Sequence, residues 1–398
     1  MSESPKWFTE ESVLGILSKY YPSGVNLCSW SIKPATSKGE NFGSSLNVLD
    51  VKYSCSNGPE ILSSFIVKCK LENELMDTIE SDFSVFKRET QVYEVIIKEI
   101  QAMLESIGDP TILAPKSFYF DEKMIVLENL KETDYAIEDV KIGLEKEQAL
   151  MILEKLAKFH GCSMVLYEKY PEMFKYHLNG NVTENENPIH TFYINAFEAC
   201  IKYCEGKERF QDYIPKLKEM QPKIIQELIK VFSRGQKDRF YVLNHGDCWV
   251  NNFMFRNKTE DVRLIDFQEG FFGSPGIDLN YFFCSSLTED TYKMYKNELI
   301  TKYHKTLSEV LKKVNYEKPI PTMDDVLKEI ASKGFHGLAT VTATLPILIN
   351  TFPEYSDIMN FIEDTEEAKE NRMKVFSNPR YENILVMFLL EFVKYNIF

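Results

Sequence analysis

Asp247, Asn252 and Asp266 are the residues of this 398-residue chain whose types and spacing bear most directly on chemistry. Asn252 follows Asp247 by five positions, and Asp266 comes fourteen later, after the apolar run Val262-Arg263-Leu264-Ile265. A carboxylate can accept the proton of an attacking hydroxyl, while an amide oxygen and a second carboxylate can hold Mg²⁺ on the phosphates of ATP. The three together supply what phosphoryl transfer asks of a protein. A His-Gly-Asp turn alone is unremarkable. Its flanks, Phe240-Tyr241-Val242-Leu243 before and Phe253-Met254-Phe255 after, set the loop at strand ends, where a rigid scaffold can aim carboxylates at a ligand. The competing reading is a polar turn with Asp247 and Asp266 as local caps.

The same Asp-to-Asn step occurs in the protein-kinase pattern H-R-D-x-x-x-x-N, which is followed by D-F-G. Here Gly246 stands in place of the Arg and Gln268 in place of the last Gly. A protein kinase inserts a long segment between D-F-G and A-P-E to dock its peptide. In this chain Asp278 comes only 12 positions after Asp266, and no A-P-E follows. That argues for a small-molecule acceptor. The turn Gly273-Ser274-Pro275-Gly276 and Asp278 read as structural, with Asp278 capping a helix that begins at Leu279.

These residues must be positioned by a larger frame. Thr9 before Glu10 and Glu11 marks a helix start, and the helix runs to about Tyr20, before Pro22 and Gly24. Strand-like stretches follow at 25–33, 45–53 and 60–70, the last two joined through Asn57-Gly58, a hairpin signal. The Gly- and Ser-containing link Ser37-Lys38-Gly39-Glu40-Asn41-Phe42-Gly43-Ser44 could present backbone N–H groups to phosphates, or be a simple turn. Lys68 lies within the third strand, where an unpaired ammonium is costly to bury. A helix predicted over 81–106 carries Phe83, Phe86, Tyr93, Ile97 and Ile100 on one face, and Glu89 falls on that face as a partner for Lys68. Lys70 shares the strand face of Lys68 by two-residue alternation and remains its rival. A second hairpin, Phe118-Tyr119-Phe120 with Met124-Ile125-Val126-Leu127, leads into Glu128-Asn129-Leu130, where the chain crosses to a more helical part.

Beyond that crossing, 144–166, 191–233 and 288–315 read as helical. His160 sits on an apolar face and is read as a core histidine. The apolar run from Gly337 to Phe352 is shorter than the ~20 residues a membrane span needs, and Pro346 interrupts it, so it reads as a buried helix. The acidic run at 363–367 reads as a solvated surface segment.

The formal net charge of −14 argues against a nucleic-acid partner or an anionic membrane, either of which favours a basic face. No Cys/His cluster has zinc-site spacing, and the eight scattered Cys suit reduced thiols in a cytoplasmic protein. The N-terminus lacks the basic and apolar regions of a signal peptide.

With these residues in view, the chain resembles the aminoglycoside-phosphotransferase and choline-kinase superfamily, and within it the ecdysteroid-kinase-like (CHK-kinase-like) proteins. The resemblance is carried by Gly39-Glu-Asn-Phe-Gly-Ser44, Phe65-Ile-Val-Lys68, Phe86-Lys-Arg-Glu89, Leu127-Glu-Asn-Leu130, Leu156-Ala-Lys-Phe-His160, His245-Gly-Asp-Cys-Trp-Val-Asn-Asn252 and Ile265-Asp-Phe-Gln268. It implies an α+β, bilobal, protein-kinase-like fold. The smaller lobe, 1–130, would hold an antiparallel sheet with helices, and the larger, 131–398, would be mostly helical. It further implies Asp247 as catalytic base and Asn252 and Asp266 as Mg²⁺ ligands. Lys68, positioned by Glu89, would hold the phosphates of ATP under a loop containing Gly39, Asn41, Phe42, Gly43 and Ser44. Glu128 and Leu130 would flank adenine; Asn129 stands where relatives often have Asp. The acceptor would be a small-molecule alcohol, an ecdysteroid or a xenobiotic. A choline- or aminoglycoside-type kinase and a nucleotide-binding protein without turnover remain as alternatives. Trp249 and Tyr281 are near the site in sequence without an assigned role, and helices after residue 280 are expected to line most of the acceptor pocket.

Overall fold

A computed structural model describes residue 5 and residues 7–21, 24–35, 44–55, 58–71, 74–235 and 239–398. The architecture is α+β and bilobal, a small antiparallel sheet with its helices followed by a larger, mostly helical part.

Helix α1 (Glu10–Tyr20) begins after Thr9 with two acidic residues in its first turn, and buries Val13, Ile16 and Leu17, which share a face at i, i+3 and i+4. It packs on a five-stranded sheet formed by β1 (Val25–Pro34), β2 (Ser44–Cys55), β3 (Glu60–Lys70), β4 (Ser117–Phe120) and β5 (Met124–Glu128), in the order β1-β2-β3-β5-β4. Strand β3 is therefore central. Its side chains alternate: Phe65, Val67 and Cys69 join the cluster under α1, while Ile66 and Lys68 turn to the opposite face and line a cavity. Lys68 sits opposite Leu46 of β2 and Ile125 of β5, well inside the sheet.

The single helix expected over 81–106 is broken. Helix α2 (Glu74–Phe83) ends at Ser84, whose φ of +55° is left-handed; α3 (Val85–Gln91) then starts, and a wider π-type turn over Val92–Ile96 passes into α4 (Ile97–Ser106). Helical apolar spacing continues across the break through Phe83 and Phe86, three positions apart, so periodicity alone cannot reveal it.

After Leu130 the chain forms β6 (Tyr135–Ile137) and then α5 (Lys146–Lys169), which lies along α10 (Glu289–Lys313). Helices α6 (Pro188–Glu205), α7 (Ile214–Met220) and α8 (Ile224–Phe232) follow. Strands β7 (Val242–Asn244) and β10 (Phe271–Gly273) pair, and β8 (Phe253–Arg256) runs between β6 and β9 (Asp261–Leu264). These short ladders bracket residues 245–252 and 265–270. The buried helix α9 (Gly276–Ser285) closes the arrangement. The apolar stretch after residue 333 folds as buried turns, Gly334–Ala339, Thr340–Thr344 and Leu345–Leu348, with Pro346 in the first turn of the last. Among the described residues no helix is long and apolar enough to cross a membrane. Residues 363–367 are exposed, and Thr365 caps the helix Glu366–Lys374.

Candidate active site

Strand β7 leads through buried His245 to Gly246 and Asp247, which line the cavity. Gly246 has φ +85°, and a Cβ built on it would lie 2.1 Å from the carbonyl oxygen of Glu269. The loop thus passes so close to the segment after Asp266 that only glycine fits. Asp278 pins this turn from below: its carboxylate accepts the N–H groups of His245 (2.6 Å) and Gly246 (2.9 Å). His160 Nε2 also meets that carboxylate at 3.1 Å, and its Nδ1 meets the Tyr303 hydroxyl at 2.8 Å. Burial alone would raise the Asp278 carboxyl, but hydrogen bonds and the imidazoles of His160 and His245 hold it below its ordinary value. His160 is accordingly a satisfied core histidine, as expected. Asp278, expected to cap a helix starting at Leu279, instead lies inside α9, because its acceptors are needed by the 245–246 turn.

His245 Nε2 meets the carbonyl of Ile265 at 2.9 Å, which requires a proton on that nitrogen and joins the two loops beside Asp266. Asp247 Oδ2 accepts from Trp249 Nε1 at 3.0 Å and from Asn252 Nδ2 at 2.8 Å. Burial, then the charge of Asp266, push the Asp247 carboxyl above its usual value, while His245, Trp249 and Tyr281 oppose the rise. Trp249 therefore orients the candidate base, a role the sequence left unassigned.

Lys68 Nζ lies 2.6 Å from Glu89 Oε2 and 2.9 Å from Asp266 Oδ1. Burial disfavours the ammonium, but the two carboxylates outweigh it and raise the Lys68 pKa. Burial pushes the Glu89 carboxyl up to about 7 against the pull of Lys68. The choice between two lysines is thus made: Lys68 meets Glu89, and Lys70 sits at the end of β3 opposite Ser44. Asp266 itself has φ +64°, a left-handed conformation that Asp tolerates better than most residues.

The Asn252 side chain donates two hydrogen bonds through Nδ2, which leaves its Oδ1 for a cation. Asp266 engages Lys68 through Oδ1, leaving Oδ2. Two hard oxygen donors beside space for phosphates fit Mg²⁺, which usually takes one or two carboxylates and completes its shell with phosphate and water oxygens. Of the expected phosphate-loop residues, Gly39, Asn41, Phe42 and Gly43 lie outside the described residues, whereas Ser44 opens β2 and lines the cavity. Glu128 and Leu130 line it as well. Glu128 is tied to Lys116 on both sides: its Oε2 accepts the N–H of Lys116 (3.1 Å) and its own N–H donates to the Lys116 carbonyl (2.8 Å).

Lys68, Glu89, Asp247, Trp249, Asn252 and Asp266 border one cavity of about 630 Å³ together with Ser44, Glu128 and Leu130. Part of its wall is aromatic and aliphatic: Phe192, Tyr193, Tyr281, Ile347, Leu348 and Ile358. Four of these six residues lie after position 280, in keeping with the expectation that this part of the chain lines most of the pocket, and α6 adds Phe192 and Tyr193. Glu269, absent from the sequence reading, borders the same space. Burial and then Asp247 push its carboxyl up to about 7, with Arg88 opposing. Glu269 follows directly on the Asp-Phe-Gln run, which is the signal that could have drawn it in.

Comparison with known proteins places these observations in a family context. The family model described as the ecdysteroid kinase-like family matches residues 38–316. No protein of curated function matches the chain. Similar solved structures include an ethanolamine kinase of Plasmodium vivax, 11% identical, with 96% of this chain and 99% of that one covered at a TM-score of 0.42. A macrolide 2'-phosphotransferase type I is 12% identical, covering 92% and 97%, at a TM-score of 0.36. A glucosamine kinase is 12% identical, covering 97% and 83%, at 0.35.

Proposed function

We propose, from the premise that this chain belongs to the ecdysteroid kinase-like family, that it transfers the γ-phosphate of ATP to a hydroxyl of a small apolar alcohol, an ecdysteroid or a xenobiotic. One observation carries the reading: the Lys68–Glu89–Asp266 ion cluster and the Asp247–Asn252 pair border the same cavity as an apolar, aromatic wall. Bound ATP and Mg²⁺ would supply the phosphoryl group and neutralise its charge. Lys68 holds phosphate oxygens, and Asn252 and Asp266 hold the metal. Asp247 accepts the proton of the acceptor hydroxyl, its carboxylate oriented by Trp249 and Asn252. Residues 1–130 form the nucleotide lobe and 131–398 the lobe that carries the base and the acceptor wall. The eight free thiols suit a reducing, cytoplasmic setting.

A second reading, a cationic acceptor of the choline or aminoglycoside kind, has one observation in its favour. The Glu269 carboxylate borders the cavity that also holds Asp247 and the ring of Tyr193. The deciding experiment is mass-spectrometric detection of product from purified protein and Mg-ATP. The acceptor panel holds ecdysteroids, plant steroids, phenolic glycosides, choline and aminoglycosides, with Asp247→Asn as control. A phosphate gained by a steroid or phenolic alcohol, and absent in the control, supports the first reading. Phosphate on choline or an aminoglycoside supports the second. Bound ATP with no product from any compound favours a nucleotide-binding protein without turnover.

A further inference from the structure

Arg88, the residue before Glu89, is 3% exposed, and each of its three guanidinium nitrogens donates a hydrogen bond to a distant part of the chain. Nε donates to the carbonyl of Tyr176, Nη1 to Oδ1 of Asn181, and Nη2 to the carbonyl of Asn179, each at 2.8 Å. All three acceptors are neutral oxygens on one stretch of chain, residues 176–181. The carboxylates of Glu269 and Glu80 act on the cation only through space. A buried cation satisfied by neutral oxygens gains little stability, since desolvation offsets most of the attraction. What the fork does provide is geometry, because three bonds from one planar group hold the helix of Arg88 against residues 176–181.

The stretch it grips is itself closely fitted. The carbonyl of His177 accepts from the N–H of Phe272 in β10 at 2.6 Å, five residues after Phe267. A Cβ on Gly180 would lie 2.6 Å from the ring of Phe232. Asn181 and Val182 then form part of the cavity wall. At the other end, α3 is a seven-residue helix that starts at left-handed Ser84 and widens into the π-type turn at Val92–Ile96, so Arg88 and Glu89 sit on one short helical segment.

We infer that Arg88 is a positioning residue, coupling the cavity wall at Asn181 and Val182 to the Lys68–Glu89 pair. The wall sets the guanidinium, the guanidinium sets α3, and α3 sets the Glu89 carboxylate that holds Lys68 towards bound phosphates. The functional consequence rests on the nucleotide-binding reading above, and the test separates the two.

Calorimetric Mg-ATP affinity is measured for the full chain and for Arg88→Lys, Glu89→Gln, their double variant, Asn181→Ala and Lys68→Met. Thermal denaturation is recorded for each. Arg88→Lys keeps the charge and loses the fork; it is expected to weaken Mg-ATP binding about tenfold, and Asn181→Ala about threefold. The double variant is expected to bind no more weakly than Glu89→Gln alone, because Arg88 acts through Glu89. Additive losses overturn the inference, as does a lowered melting temperature with unchanged Mg-ATP affinity. Should Arg88→Lys not fold, Asn181→Ala combined with Glu89→Gln makes the same comparison. Unchanged affinity in Lys68→Met overturns the nucleotide reading and this inference together. Weakened binding in Lys68→Met with normal binding in the Arg88 and Asn181 variants overturns the coupling alone.

Discussion

Asn252 Nδ2 donates to both the backbone oxygen and Oδ2 of Asp247, at 2.8 Å each, so the candidate base and a candidate metal ligand form one hydrogen-bonded unit. Neither can move without the other. A substitution at Asn252 therefore acts on proton transfer as well as on cation binding. Asn252→Asp sets a second carboxylate against Oδ2 and removes the donated N–H groups, and both effects raise the Asp247 carboxyl further. Residual turnover is expected to fall by about 10²–10⁴-fold, with its acid limb moved to higher pH. Initial rates from pH 5 to 9 test this; an unmoved acid limb would contradict it.

Asp278 serves the same loop through two backbone donors and His160. Asp278→Ala leaves buried donors unsatisfied and is expected to cost about 3–5 kcal/mol of stability. Its folded-state pKa is depressed, so the carboxylate's contribution is fully present above the unfolded value, about 3.9, and is lost as pH falls through the lower folded value. Urea denaturation of both proteins at pH 7 and pH 3 gives the check: the gap between them must narrow at the lower pH.

Gly246→Ala combines a left-handed backbone with a methyl group 2.1 Å from the Glu269 carbonyl. Backbone strain of this kind costs about 1–3 kcal/mol, and here it acts at the base itself. A lowered melting temperature together with lost turnover is the expected result. Wild-type turnover in this variant would mean that the loop can be displaced without consequence.

Glu269 predicts the opposite sign. Its carboxyl is raised to about 7, so between about 4.3 and 7 the folded chain binds more proton than the unfolded one, and stability falls as pH rises through that window. Glu269→Gln removes the effect. After allowance for its partial solvation, the variant is expected to gain about 1–2 kcal/mol over the native chain at pH 7.5 and almost nothing at pH 4.5. Thermal denaturation at the two pH values measures it. A gain of this kind marks a group retained at a stability cost, as functional sites often are.

Much of this site can be read from residue types and intervals. The steps from Asp247 to Asn252 and Asp266 name the chemistry, and strand alternation with helical spacing brings Lys68 and Glu89 into consideration together. Alternation repeats every two residues, so it cannot separate Lys68 from Lys70; only strand register does, by setting Lys68 amid Leu46 and Ile125. The break at Ser84 is hidden because apolar residues continue on both sides of it. The roles of Asp278 and Arg88 are hidden for another reason. The backbone partners of Asp278 lie 32 and 33 positions away and the partners of Arg88 lie 88 to 93 away, and most of these are backbone groups, which leave no mark on residue type.

The cavity runs without interruption from Leu130, beside the strand of Lys68, to Ile358 on the apolar wall. Two ligands that share one undivided space can be mimicked by one molecule. On the proposed function, a compound linking a planar ring at Leu130 to an apolar group at Ile358 would exclude nucleotide and alcohol alike, and its potency would exceed the sum of its halves because the cost of immobilisation falls once.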